Sequence, residues 1–76
     1  MKIKILGTGC SKCNKLEKNA LEAAKLSDTE VTIEKVSKID DILDYGVMMT
    51  PGLVIDEKVI STGKVLSVEA ILEHLG

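Results

Sequence analysis

The chain has 76 residues, enough for one domain with a thin core and no room for a second. Hydrophobic residues make up 45% and charged residues 29%, an ordinary globular balance, but Phe and Trp are absent and Tyr45 is the single aromatic, which excludes recognition of single-stranded nucleic acid by stacking. Every basic residue is Lys and the formal net charge is −2, so guanidinium clamps are excluded and nucleic acid is a poor partner.

That small net charge hides an asymmetry: residues 1–27 carry net +4 and residues 28–76 net −6. No apolar stretch reaches the length of a secretory leader or a membrane span. One pair of cysteines is too few for a disulfide-stapled secreted scaffold. The sequence therefore predicts a cytoplasmic protein, a single domain over 1–76, that engages no membrane.

Ile3, Ile5 and Leu6 form a short apolar strand ended by Gly7-Thr8-Gly9. From Ser11 to Leu26 the spacing turns helical, with Leu16, Ala20, Ala23 and Ala24 on one face. Glu30 to Val36 alternates as a strand does, Val31 and Ile33 pointing one way. Ser37-Lys38-Ile39-Asp40 resembles a capping box that opens a second helix. Ile39, Ile42 and Leu43 are its expected inner face and Gly46 its C-terminal stop. Val47 to Pro51 reads as a loop. Leu53-Val54-Ile55 and Lys58-Val59-Ile60 read as a hairpin turning at Asp56-Glu57. Gly63 marks the way out, and Ser67 caps a last helix that buries Val68, Ile71, Leu72 and Leu75. The order is β-α-β-α-β-β-α, which predicts an α/β fold.

The chemistry concentrates in Cys10-Ser11-Lys12-Cys13, between the first strand and the first helix. A helix N-terminus carries partial positive charge and unpaired N–H groups, which favour a thiolate. Lys12 and Lys15 add positive charge nearby. The spacing lets the two sulfurs close a disulfide across one helical turn. Cys10, at the cap, is the expected nucleophile, and Cys13, inside the first turn, the resolving thiol. Other uses of the pair remain open at this point, among them a redox-sensing or binding module that uses the same cysteines without turnover. A plain stabilising disulfide closes too small a loop to contribute much. Two inert buried thiols fit this spacing and position poorly. A structural zinc site needs four ligands, and the chain offers Cys10, Cys13 and His74, the last expected on the solvent face of the final helix. A soft-metal carrier for Cu or Zn is the sharper rival, because domains of the heavy-metal-associated family also place C-x-x-C after the first strand. That family runs β-α-β-β-α-β, without a helix before the hairpin.

Pro51 is the only proline and precedes the Leu53-Val54-Ile55 strand. If the hairpin pairs beside the first strand, Pro51 lies near the first turn of the first helix. A cis Thr50–Pro51 bond there would present the Thr50 backbone to an extended partner segment. Met48 and Met49 flank this loop; at least one is expected to fill core, the other to offer an adaptable apolar contact.

A strand, C-x-x-C opening a helix, a β-α unit, a Pro opening a hairpin and a final helix together are similar to the thioredoxin/glutaredoxin superfamily. The string Tyr45-Gly46-Val47-Met48-Met49-Thr50-Pro51 looks like the thioredoxin segment that leads into its cis-proline. Gly7-Thr8-Gly9-Cys10 through Leu16-Glu17-Lys18-Asn19-Ala20 resembles the minimal thioredoxin-like redox-active disulfide proteins of prokaryotes. The resemblance implies a four-stranded mixed sheet with helices on both faces, the second helix opposite the first and third. It implies thiol–disulfide exchange with Cys10 attacking and Cys13 resolving, Pro51 cis and Thr50 offering main-chain bonds to substrate; the residues themselves add Met49 as the expected substrate contact beside them and Lys12 as an electrostatic aid. The implied partners are disulfide-containing proteins and an external reductant such as a thioredoxin reductase, with no cofactor beyond the Cys10–Cys13 disulfide, no metal, and a monomeric state. The chain departs from the family in four places, one being that Gly9 stands where a Trp usually precedes the first Cys. Ser11-Lys12 replaces the usual Gly-Pro or Pro-Tyr. Lys4 replaces the buried acid that typical thioredoxins hold six residues ahead of the first Cys. Ser61-Thr62-Gly63-Lys64 lacks the glutathione-binding Gly-Gly turn of glutaredoxins.

Overall fold

The computed structural model describes residues 1–9, 11–28 and 30–75; Cys10, Thr29 and Gly76 lie outside the described residues. The elements are β1 (Lys2–Leu6), α1 (Ser11–Leu26), β2 (Thr32–Val36), α2 (Ile39–Asp44), β3 (Gly52–Ile55), β4 (Lys58–Thr62) and α3 (Val68–Leu75). The strands make one four-stranded mixed sheet in the order β2-β1-β3-β4. β1 runs parallel to β2, with Ile3 opposite Ile33, and antiparallel to β3, with Ile5 opposite Leu53. β3 and β4 form the hairpin.

Alternation along β1 and β3 divides the core between the two sheet faces. Ile3, Ile5, Leu53 and Ile55 meet Leu16, Ala20 and Ala23 of α1 and Ile71 and Leu75 of α3. Small alanines on α1 let that helix lie close to the sheet. Leu6 and Val54 point the other way, to Ile42 of α2 and to Val47. Helices therefore cover both faces, α2 opposite α1 and α3. Full burial of an Ile or Leu side chain contributes about 1.5–3 kcal/mol, so the first cluster carries most of the stability.

Caps set the helix ends. Ser67 Oγ accepts from the Ala70 N–H at 3.2 Å, the N-cap bond its position predicts. α2 closes as a Schellman motif, with Gly46 N–H on Leu43 O at 2.8 Å and Val47 N–H on Ile42 O at 3.4 Å. Gly46 follows the Tyr45 C-cap at φ +78°, the left-handed position that motif requires.

Several expectations need correction. No capping box opens α2: Lys38 is its N-cap, in extended conformation, with no side-chain cap bond. The first helical bond already starts at the Lys38 carbonyl, one residue past Ser37. Of the expected inner face of α2 only Ile42 is buried, while Ile39 is 62% and Leu43 50% exposed. A helix of six residues completes fewer than two turns and offers one core position. Neither Met48 nor Met49 fills the core; they are 85% and 65% exposed, and Val47 takes the buried place in that loop. β4 runs on to Thr62, with an irregularity in its pairing at Leu53/Val54. Ile60, left over by that shift, packs toward α1 and α3.

Candidate active site

Cys13 lies in the first turn of α1 and is 1% exposed. The turn is set by the end of β1, where the Gly7 N–H donates to Val36 O at 2.9 Å and extends the β1–β2 ladder one residue past Leu6. Gly7 is buried directly against Cys13: a Cβ placed on Gly7 would overlap Cys13 Sγ. Cys10, the expected nucleophile, falls outside the described residues; in the chain it immediately precedes Ser11, the first residue of α1. Lys12 and Lys15 are exposed on α1.

The loop before β3 reaches the same end of the sheet, because Gly52 pairs with Leu6. The Thr50–Pro51 peptide bond is cis. Pro51 is buried, Thr50 half-buried, and the Pro51 carbonyl accepts from the Gly63 N–H at 2.8 Å. The Met49 side chain crosses the open face of Gly63, its Cβ 3.3 Å from where a Gly63 Cβ would stand. The structure thus gathers Cys13, Gly7, Met49, Thr50 and Pro51 around the Leu6–Gly52 end of the central strands. His74 is exposed near the end of α3, and among the described residues no three His, Cys, Asp or Glu side chains form a metal-holding group.

A second polar cluster lies on the α2 face, away from the thiol. Lys4 Nζ is 2.8 Å from Glu57 Oε1 and donates to the Tyr45 hydroxyl, which in turn donates to Glu57 Oε2 at 3.0 Å. Nζ also sits 5.2 Å from the Tyr45 ring centroid. The bond to Glu57 first, and to Tyr45 second, hold the Lys4 ammonium well above the ordinary lysine range. The bonds from Lys4 and then Tyr45 hold the Glu57 carboxyl below its ordinary value. Lys2, 2.9 Å from Glu34 Oε2, lowers the Glu34 carboxyl by the same kind of contact. Beside this cluster runs an open groove of about 470 Å³ lined by Glu34, Val36, Asp41, Asp44 and the three clustered residues, and by neither Cys13 nor Pro51.

Sequence reasoning missed the seat that Gly7 gives Cys13 and the packing of Met49 on Gly63. It read Gly7 as a strand terminator and Gly63 as a turn. Their signal is only a glycine where the chain must approach another segment, which sequence does not distinguish from a turn. It also missed the bond between Lys4 and Tyr45.

The thioredoxin domain model matches residues 1–76. A thioredoxin of Methanothermobacter thermautotrophicus is 45% identical over 75 residues, covering 99% of this chain and 97% of that protein. A thioredoxin of Methanocaldococcus jannaschii is 38% identical over 73 residues, covering 96% of this chain and 84% of that protein. With the mixed sheet, the helices on both its faces and a match along its whole length, the chain belongs to the thioredoxin domain family of thioredoxin-like redox proteins.

Proposed function

We propose that the chain is a dithiol–disulfide oxidoreductase of thioredoxin type that works through Cys10 and Cys13. The observation that carries this reading is the placement of Cys13 in the first turn of a long helix, three residues after Cys10 in a chain that matches the thioredoxin domain from end to end. The Cys10 thiolate attacks one sulfur of a substrate disulfide, and the other substrate sulfur leaves as a thiol. Cys13 then displaces the second substrate sulfur, leaving Cys10–Cys13 oxidised. Burial of Cys13 supports the division of labour: a thiol inside the first turn meets a sulfur already bound at Cys10 before it meets a protein substrate.

Thr50 offers main-chain groups to an extended substrate segment, and exposed Met49 lends an adaptable apolar contact. Lys12 adds positive charge beside the motif. The substrates are disulfide-containing proteins, and an external reductant, such as a thioredoxin reductase, restores the dithiol. That both relatives are thioredoxins supports this type over the glutaredoxin one. A helix between β2 and the hairpin disfavours the soft-metal carrier, whose family lacks one. The test measures insulin disulfide reduction and bound metal on one reduced sample. The proposal expects catalysed reduction that Cys10→Ser abolishes; one equivalent of bound Cu or Zn without thiol exchange contradicts it.

A further inference from the structure

We propose that Gly7 is a positioning residue for the Cys13 thiol. The space left by its absent side chain seats the sulfur, so Gly7 governs the resolving half of the exchange without touching substrate. The inference rests on the dithiol reading above. A Cβ on Gly7 would overlap Cys13 Sγ and stand 3.0 Å from Cys13 Cβ. Rotating the thiol away would relieve the overlap with the sulfur but leave the contact with Cys13 Cβ tighter than ordinary packing, so the first turn of α1 must still give by a few tenths of an ångström. Nor can Gly7 retreat, since its N–H is bonded to Val36 O at 2.9 Å and its neighbour Leu6 is fully buried. Backbone conformation is not the reason for glycine here, because Gly7 lies outside the left-handed region. Gly9 and Gly46 make the contrast: both have positive φ, and among the described residues no atom beyond the chain neighbours lies within 4 Å of either Cβ position.

The consequence falls on one step. In resolution the Cys13 thiolate attacks the Cys10 sulfur of the mixed disulfide. The Cys10–Cys13 bond forms as the Cys10–substrate bond breaks. The substrate sulfur leaves with the electron pair and takes a proton from solvent. Two electrons pass in all from the protein dithiol to the substrate disulfide. Reaction within a preset pair of groups is sensitive to displacement: about 1 Å costs about 100-fold. Attack by Cys10 on substrate precedes this step and does not require Cys13.

The test compares the full-length chain with Gly7→Ala, using an aromatic disulfide that releases one coloured thiolate in each of the two steps. Gly7→Ala is expected to release the first at close to the wild-type rate and the second about tenfold or more slowly, with the Cys10 adduct accumulating by mass spectrometry. Wild-type rates for both thiolates would overturn the inference. A second measurement covers a folding defect. Gly7→Ala lowers the melting temperature of the reduced protein, and adding Cys13→Ala recovers more than half of the loss, because the sulfur is the principal clash. No recovery in the double variant, or equal failure of both to fold, also overturns the assignment. If the wild type releases no second thiolate, the dithiol reading fails instead, and the stability coupling between positions 7 and 13 still decides the seat.

Discussion

Lys4 stands where typical thioredoxins carry a buried acid, and its surroundings explain how a cation is tolerated in a central strand. Glu57 and Tyr45 satisfy its ammonium on the α2 face. The resulting shifts have opposite signs and separate windows. Glu57, held below its ordinary value, contributes stability that is present above about pH 4.3 and lost as pH falls through its lowered value. Lys4, held above its ordinary value, contributes stability present below about pH 10.4 and lost only as pH rises through the raised value. Thermal unfolding followed from pH 7 to pH 2.5 is therefore expected to fall off less steeply in Glu57→Gln than in the wild type; identical acid limbs would remove Glu57 from the account. Ser61 supplies a different kind of test. Its Oγ is buried without a hydrogen-bond partner among the described residues. Leaving such a hydroxyl unpaired costs about 1–3 kcal/mol, so Ser61→Ala is expected to raise the melting temperature by several degrees. A fall would show that the hydroxyl is bonded.

The hairpin shows how local geometry and a side-chain contact compete. Asp56 and Glu57 both take positive φ, 48° and 69°, the two-residue turn that matches the strand twist but favours Asn-Gly. Asp56 offsets its cost by tying β1 to the turn: its Oδ1 accepts from the Lys2 N–H at 2.9 Å, and its own N–H donates to Lys2 O at 2.9 Å. Glu57 does so through Lys4 and Tyr45. Replacing Glu57 by Ala or by Gly removes the same carboxylate, but only Gly also removes the left-handed penalty of about 1–2 kcal/mol. Glu57→Gly is thus expected to melt several degrees above Glu57→Ala; equal melting points would contradict the strain argument. The sequence could place this turn, because two β-rich runs flank two polar residues. It could not assign its partners, which come from β1 and the end of α2. In α2 the pattern misled: three apolar residues at helical spacing suggested an inner face, but so short a helix presents only Ile42 to the sheet.

Topology was the most readable property of the chain. Period-two runs in β1 and β3 and a helical stripe of Leu16, Ala20 and Ala23 specify which surfaces must meet, and the sheet order follows from pairing them. The family resemblance rested on the same order plus one motif and one proline. What remained hidden was tertiary approach: Gly7 beneath Cys13 and Met49 across Gly63 depend on how β1, α1 and the β4 exit converge. Charge is divided along the molecule as well, with the basic N-terminal third bearing the cysteines and the acidic groove on the α2 face. All of this bears on one claim, that Cys10 attacks and Cys13 resolves. Trapping decides it. Each single Cys→Ser variant, reduced and mixed with a disulfide-containing protein, is analysed intact by mass spectrometry. Cys13→Ser is expected to accumulate a one-to-one mixed disulfide through Cys10, and Cys10→Ser to accumulate none. A stable adduct on Cys13 in the Cys10→Ser variant would contradict the assignment.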